Sequence, residues 1–436
     1  MNSFFNRTNK SLLIIAIMSL LIRVGNFYNT FVPKPFEILF VALCLFTIVH
    51  ILKNKKIKEF FTPIPKNILI AVSFLMVSVI GGWLVSLFVS HVTSTLNMVL
   101  EFGTFTIGLT MFLLVLFYSY NDKKYARLYL YALLLPTVYS IFSIFPSITP
   151  SFLLAEDGNF IGLTPNVNIV SKVLLVPAMF FMAHALLTFK GIKIRALYIA
   201  ISTAIVALLI WISSRGALLS LSVGMFSLWL VATRHQFSWN KLFLNTLVIT
   251  VIIVAGFALT PYSRKQVVLN RVLNSDAQQF SQLEVKKKSL GSIIRDSVHR
   301  TSIIEERANS NIKLKETRLQ IWPFYLNNQI LNHPFGIGPN THIESNILNT
   351  NGDYVSTGPH NTYLQIWLWG GLVGIISYLY IIFYAFKNLK DRLSKNFSIT
   401  TVSILVIMIT LAVSIMFDDS LSFYNFWIIL ALAIRE

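Results

Sequence analysis

Residues 196–233 read ALYIAISTAIVALLIWISSRGALLSLSVGMFSLWLVAT, and this stretch decides the fold. Two apolar runs, each close to the length of a bilayer's hydrocarbon core, flank Ser213-Ser214-Arg215-Gly216, and Arg215 is the one charged residue in the stretch. A turn that short reverses the chain and does little else. Working outward, runs of the same kind predict helices at about 11–32, 36–52, 68–90, 98–120, 127–146, 169–189, 196–213, 216–233, 242–260, 363–386, 397–417 and 423–434. The composition agrees. Of the 436 residues 55% are apolar and only 12% charged, about half the usual charged share. About 240 apolar residues suffice for twelve spans of about 20 each. A soluble enzyme, a disordered chain and a secreted disulfide scaffold are excluded, and the class is an all-α integral membrane protein.

The net charge of +18 is dispersed among short gaps between the apolar runs. That pattern suits anionic lipids and phosphates rather than nucleic acid. Alternate gaps are unequal: one set holds twenty Lys and Arg, while the short gaps of the other hold Arg23, Lys34, Lys172 and Arg215. By the positive-inside bias both termini are expected in the cytoplasm. Arg7 and Lys10 precede the first apolar run as in a signal peptide, but no small-residue cleavage site follows, so the run reads as a retained span. Residues 261–362 form a long outward loop, giving three parts: helices one to nine over 1–260, the loop over 261–362, and the last three helices over 363–436. Cys44 has no partner for an intrachain disulfide. No fixed-period repeat and no pair of matching interrupted spans is visible, which argues against a solenoid and an inverted-repeat transporter.

Ionisable groups at membrane depth are costly, so their placement is informative. Arg23, Glu37, Glu101, Lys172 and Arg215 fall at outward helix ends, and Asp418 and Asp419 in the outward turn between the last two helices. Arg215, on its short hairpin, suits a lipid diphosphate or serves as an interfacial anchor. Within the loop, residues 261–317 are charged, with Lys286-Lys287-Lys288 and Glu305-Glu306-Arg307, and read either as a solvated helical surface or as a lure for an anionic acceptor. From Arg318 an aromatic amphipathic stretch with Trp322 leads to His333-Pro334-Phe335-Gly336-Ile337-Gly338-Pro339, a turn back towards the membrane. Gly358-Pro359-His360-Asn361-Thr362 then opens the tenth helix. Asn361 or Thr362 is placed to cap it, setting His360 at its positive end, where neutral imidazole is favoured and proton acceptance is possible. Gly370, Gly371 and Gly374 allow close approach of another helix. A loop histidine is ordinarily just that. His91, His299, His333 and His342 make no metal-ligand spacing with it, and no Walker A, GxSxG or HExxH pattern occurs. The expected chemistry uses neither metal nor cofactor.

At these residues the sequence resembles the bacterial O-antigen ligase and O-antigen polymerase superfamily of polytopic glycosyltransferases. His360-Asn361, nine residues, Gly371, two residues and Gly374 match its His-Asn/Ser/Gln-x9-Gly-x2-Gly pattern. Arg318 with Trp322 matches Arg-x3-Trp, and Pro334 with Gly336 and Gly338 matches Pro-x-Gly-x-Gly. The Ser-Arg-Gly hairpin at Arg215 fits, as does Gly162-Leu163-Thr164-Pro165-Asn166 before the sixth helix. The resemblance implies a GT-C-like architecture in the bacterial inner membrane. It implies transfer of a glycan from undecaprenyl diphosphate to an acceptor hydroxyl, lipid A-core or another glycan, on the periplasmic face. His360 would activate the acceptor, and Arg215 and Arg318 would bind the diphosphate. The His-Asn-x9-Gly pattern leans towards the ligase over the polymerase. A transporter accounts for twelve helices but not for a long outer loop ending at a placed histidine.

Overall fold

A computed structural model describes residues 2–19, 35–53, 61–62, 64–86, 95–154, 160–163, 167–188, 191–235, 239–261, 265, 314–315, 318–339, 347–348, 354–355, 359–417 and 423–435. The expectations placed on Arg23, Lys34, Pro165, Asn166, Lys286-Lys287-Lys288, Glu305-Glu306-Arg307, Asp418 and Asp419 lie outside the described residues, as does the side chain of Glu37. The described elements are α1 (Asn2–Ser19), α2 (Pro35–Lys53), α3 (Lys66–Ser86), α4 (Thr95–Asn121), α5 (Lys123–Ala132), α6 (Val167–Leu187), α7 (Ile192–Ile212), α8 (Arg215–His235), α9 (Trp239–Leu259), α10 (Arg318–Tyr325), α11 (Thr362–Lys395), α12 (Ile399–Ser414) and α13 (Tyr424–Ile434). Among the described residues nine helical segments are long and apolar enough to cross a membrane, and three more apolar helices are shorter. The protein is an all-α, multi-pass membrane protein in its architecture. Its only described strands are two residues each: β1 (Leu314–Lys315) runs parallel to β2 (Ile347–Leu348), which is antiparallel to β3 (Tyr354–Val355).

Helices form because each apolar run must satisfy its own backbone in hydrocarbon. Their outward faces carry large exposed apolar side chains, such as Phe74, Phe226, Phe243 and Phe383, with only lipid to meet. The interior is set by α6, whose side chains from Val170 to Phe180 are all buried, and by α13, buried along its whole length. α6 packs on α7 and α12, α8 on α12, α11 on α3, and α13 on α4. Trp427 of α13 packs edge-on against Phe105 and Phe112 of α4 and Tyr378 of α11, tying two helices to one indole. At eleven residues α13 is about 17 Å long, well short of the hydrocarbon thickness, so burial by neighbours rather than exposure to lipid explains its all-apolar surface.

Two expectations of continuous helix are corrected. The run at 127–146 breaks after Ala132 into a 3-10 turn, Leu135–Ser140, and a single turn, Ile141–Ile144. Pro136 lacks the N–H that a continuing helix needs and its ring crowds the preceding turn. In α11, Gly371 has φ 60° and ψ −158°, so two helices meet there at a kink. The chain repairs that kink from outside the helix. Ile337 N–H donates to Leu368 O at 2.8 Å, Gly338 N–H to Trp369 O at 3.0 Å, and Leu372 N–H to Pro334 O at 2.9 Å. The Pro334–Gly338 turn therefore supplies donors and an acceptor for groups the break would strand in a low-dielectric interior. Gly336 (φ 82°) and Gly338 (φ 71°) hold left-handed backbone to do so. Gly370 and Gly374 meet Ser78 of α3, an added Cβ coming within 2.7 and 3.0 Å of its Oγ. The expected small-residue approach is present, but Gly371 itself serves the kink.

Candidate functional site

Arg215 is the first residue of α8. The hairpin is tighter than the four residues anticipated, because Ser213 takes a left-handed conformation (φ 57°) and closes α7 by donating its N–H to Ile210 O and Leu209 O. Ser213 and Ser214 then join the two helices, and the Ser214 hydroxyl donates to Asn168 Oδ1 at 3.0 Å, pinning the hairpin to the first turn of α6. Arg215 is exposed and has no carboxylate partner among the described residues. Its charge stands at a helix N-terminus, where the dipole does not neutralise it. One turn into α6, Lys172 is buried (4% exposed) and lies over the Phe423 ring, 5.7 Å from its centroid.

Gly216 admits a close neighbour: a Cβ there would lie 2.9 Å from that of Phe417. Phe417, in the 3-10 turn that ends α12, also packs on Trp322, with ring centroids 6.1 Å apart. Trp322 is one helical turn from Arg318, so both positions share a face of α10, although the Arg318 side chain lies outside the described residues. Phe417 thus joins the α8 hairpin to α10. That role is not legible locally, since an aromatic at the end of an apolar run looks like an interfacial anchor.

His360 is half-buried and left-handed, φ 47°. A non-glycine residue rarely holds that conformation without support. The support is local: Asn361 Oδ1 accepts from Tyr363 N–H at 2.9 Å and Leu364 N–H at 3.2 Å, capping α11 as one of the two anticipated residues. The Tyr363 hydroxyl donates to Ala412 O at 2.9 Å, fastening the start of α11 to the last turns of α12. Trp322 Nε1 and Gln365 Oε1 are buried without a hydrogen-bond partner among the described residues.

One end of the bundle therefore gathers Arg215, the α10 helix of Arg318 and Trp322, and His360 with Asn361, with the end of α12 in contact with all three elements. Gly371 and Gly374 stand behind, as scaffold. Among the described residues, such an end has a guanidinium without a carboxylate partner, an imidazole at a helix start and the buried, unpartnered polar atoms of Trp322 and Gln365. That set can hold an anionic leaving group and accept a proton.

Residues 199–379 match the family model described as O-antigen ligase. The match spans most of α7, all of α8, α9 and α10, and the first half of α11, and so includes every residue gathered above except Asn168, Lys172, Ala412, Phe417 and Phe423. No curated protein matches the chain.

Proposed function

We propose that this chain, whose residues 199–379 match the O-antigen ligase family model, is a member of the O-antigen ligase and polymerase superfamily and a ligase-type glycosyltransferase. It takes a glycan from undecaprenyl diphosphate and joins it to an acceptor hydroxyl, that of lipid A-core, at the periplasmic face of the inner membrane. The single observation that carries the reading is the junction at Phe417, where the Arg215 hairpin and the α10 helix of Arg318 meet, beside the α12 turn that holds the His360 loop. In the proposed step His360 accepts the acceptor proton as oxygen attacks the anomeric carbon. The bond from that carbon to the lipid diphosphate breaks, and Arg215 and Arg318 stabilise the departing charge. Guanidinium suits the task because it stays protonated and offers paired donors to phosphate oxygens.

The reading assumes twelve spans with both termini inside, a single outward loop over about 261–362, and neither metal nor nucleic acid. A polymerase, joining a growing chain to a further lipid-linked repeat, is equally compatible with the family match. The His360-Asn361-x9-Gly371 spacing leans to the ligase, and a deletion strain separates the two. Loss of a ligase leaves full-length polymer on undecaprenyl diphosphate beside bare lipid A-core. Acceptors bearing one repeat unit would instead identify the polymerase.

A further inference from the structure

The other end of α11 carries a second group of arginines. Its Asn388 Nδ2 donates to the carbonyl oxygens of Ala433 at 3.1 Å, Ile434 at 2.6 Å and Arg435 at 3.3 Å. Arg392 Nη1 donates to Arg435 O at 2.7 Å. These bonds satisfy carbonyls that the end of α13 leaves open, and a cation is well placed at a helix C-terminus. They use one edge of the Arg392 fork. Its Nε and Nη2, and Nε of Arg435, are buried with no hydrogen-bond partner among the described residues.

The charges nearby do not fill that need. Arg435 lies within electrostatic reach of Arg392, and both Arg127 and Asp122, from the start of α5, act on Arg435. Asp122 is engaged, pairing with Lys10 Nζ at 3.6 Å and accepting from Lys124 N–H at 2.9 Å. Burial, with repulsion from Arg127, holds the Arg435 guanidinium below its ordinary value, yet an arginine remains charged at physiological pH. Among the described residues, four cations, Lys10, Arg127, Arg392 and Arg435, thus face one occupied carboxylate. Snorkelling to an interface accounts for exposed cations, not for buried donors that meet no acceptor. What such a group lacks is an anion with several acceptor oxygens.

We infer that Arg392 and Arg435, with Arg127 at the rim, form a binding site for a phosphate oxyanion, supplied by the headgroup of an anionic phospholipid. The site is separate from the candidate catalytic end, since Arg392 lies roughly 45 Å along α11 from its first turn. The basic bias of the flanking gaps puts it in the cytoplasmic leaflet, where acidic headgroups sit at this depth.

The test uses the full-length protein in detergent, with bound species read by native mass spectrometry during titration with phosphatidylglycerol, phosphatidylcholine or inorganic phosphate. Wild type should retain phosphatidylglycerol with an affinity on the order of tenfold above phosphatidylcholine. Arg127→Gln with Arg435→Gln should erase that preference without lowering the melting temperature measured before lipid is added. Arg435→Gln alone should reduce it, and serves if the double variant does not fold. Phosphate binding that is lost in the same variants, without a preference between the lipids, would keep the site and assign it to soluble phosphate. A phosphatidylglycerol preference that survives both variants, or wild type binding neither phosphatidylglycerol preferentially nor phosphate, overturns the inference.

Discussion

His360 combines two properties that a single substitution confounds, its ring and its left-handed backbone. Holding that conformation costs a non-glycine residue about 1–2 kcal/mol, so glycine removes the ring and the strain together. His360→Gly should therefore melt at or above the wild-type temperature in detergent while losing glycan transfer, and His360→Ala should lose transfer with donor binding nearly unchanged. Transfer at the wild-type rate by either variant would rule out the imidazole as base. Arg215 and Arg318 are tested differently, by keeping charge and removing geometry. Arg215→Lys and Arg318→Lys each replace a fork with a point charge and should weaken binding of undecaprenyl-diphosphate glycan, on the order of tenfold, since one charge-assisted contact is worth about 1.5–3 kcal/mol. Unchanged donor binding in both would return the two arginines to the role of interfacial anchors.

At the level of elements, the docked turn and the broken helix stand or fall together. A Cβ on Gly338 would strike the backbone of Trp83, and one on Gly371 that of Pro334 and Phe335, and both positions have positive φ. Gly338→Ala and Gly371→Ala should each reduce the yield of folded protein and lower its melting temperature. Gly81→Ala, in a helix with open space around it, should be neutral or stabilising by up to about 1 kcal/mol. Equal effects at Gly81 and Gly371 in a thermal melt would count against the joint. Helix positions were largely legible in the sequence because a long apolar run has one stable outcome in lipid, and α3, α7, α8 and α9 lie within a few residues of their anticipated bounds. The break at Gly371 was not legible. Its partners, Pro334, Ile337 and Gly338, lie more than thirty residues upstream, and a hydrophobic pattern records only near neighbours. Pro136 was visible, but a proline in an apolar run is compatible with a kinked span, and whether the helix bends or breaks depends on its surroundings.

Across the whole molecule, the motifs singled out Arg215, Arg318 and His360 as candidates, whereas Phe417 and the Ser214–Asn168 bond were not legible, because nothing in their local sequence distinguishes them. The proposed arrangement in the membrane is tested by single cysteines at Ser263 and Asn311 in a Cys44→Ala background. Both should react with an impermeant thiol reagent added to the periplasmic side of intact cells; protection of both until lysis would invert the topology. The joint between the Pro334–Gly338 turn and α11 also carries a consequence for how the chain is made. The turn is translated before Gly371, and α3, against which it rests, earlier still. By the time the broken helix leaves the ribosome and enters the bilayer, the groups that complete its backbone already exist. Synthesis from the N-terminus thus delivers the clamp ahead of the break it closes, and α11 need never wait in lipid with its carbonyls bare.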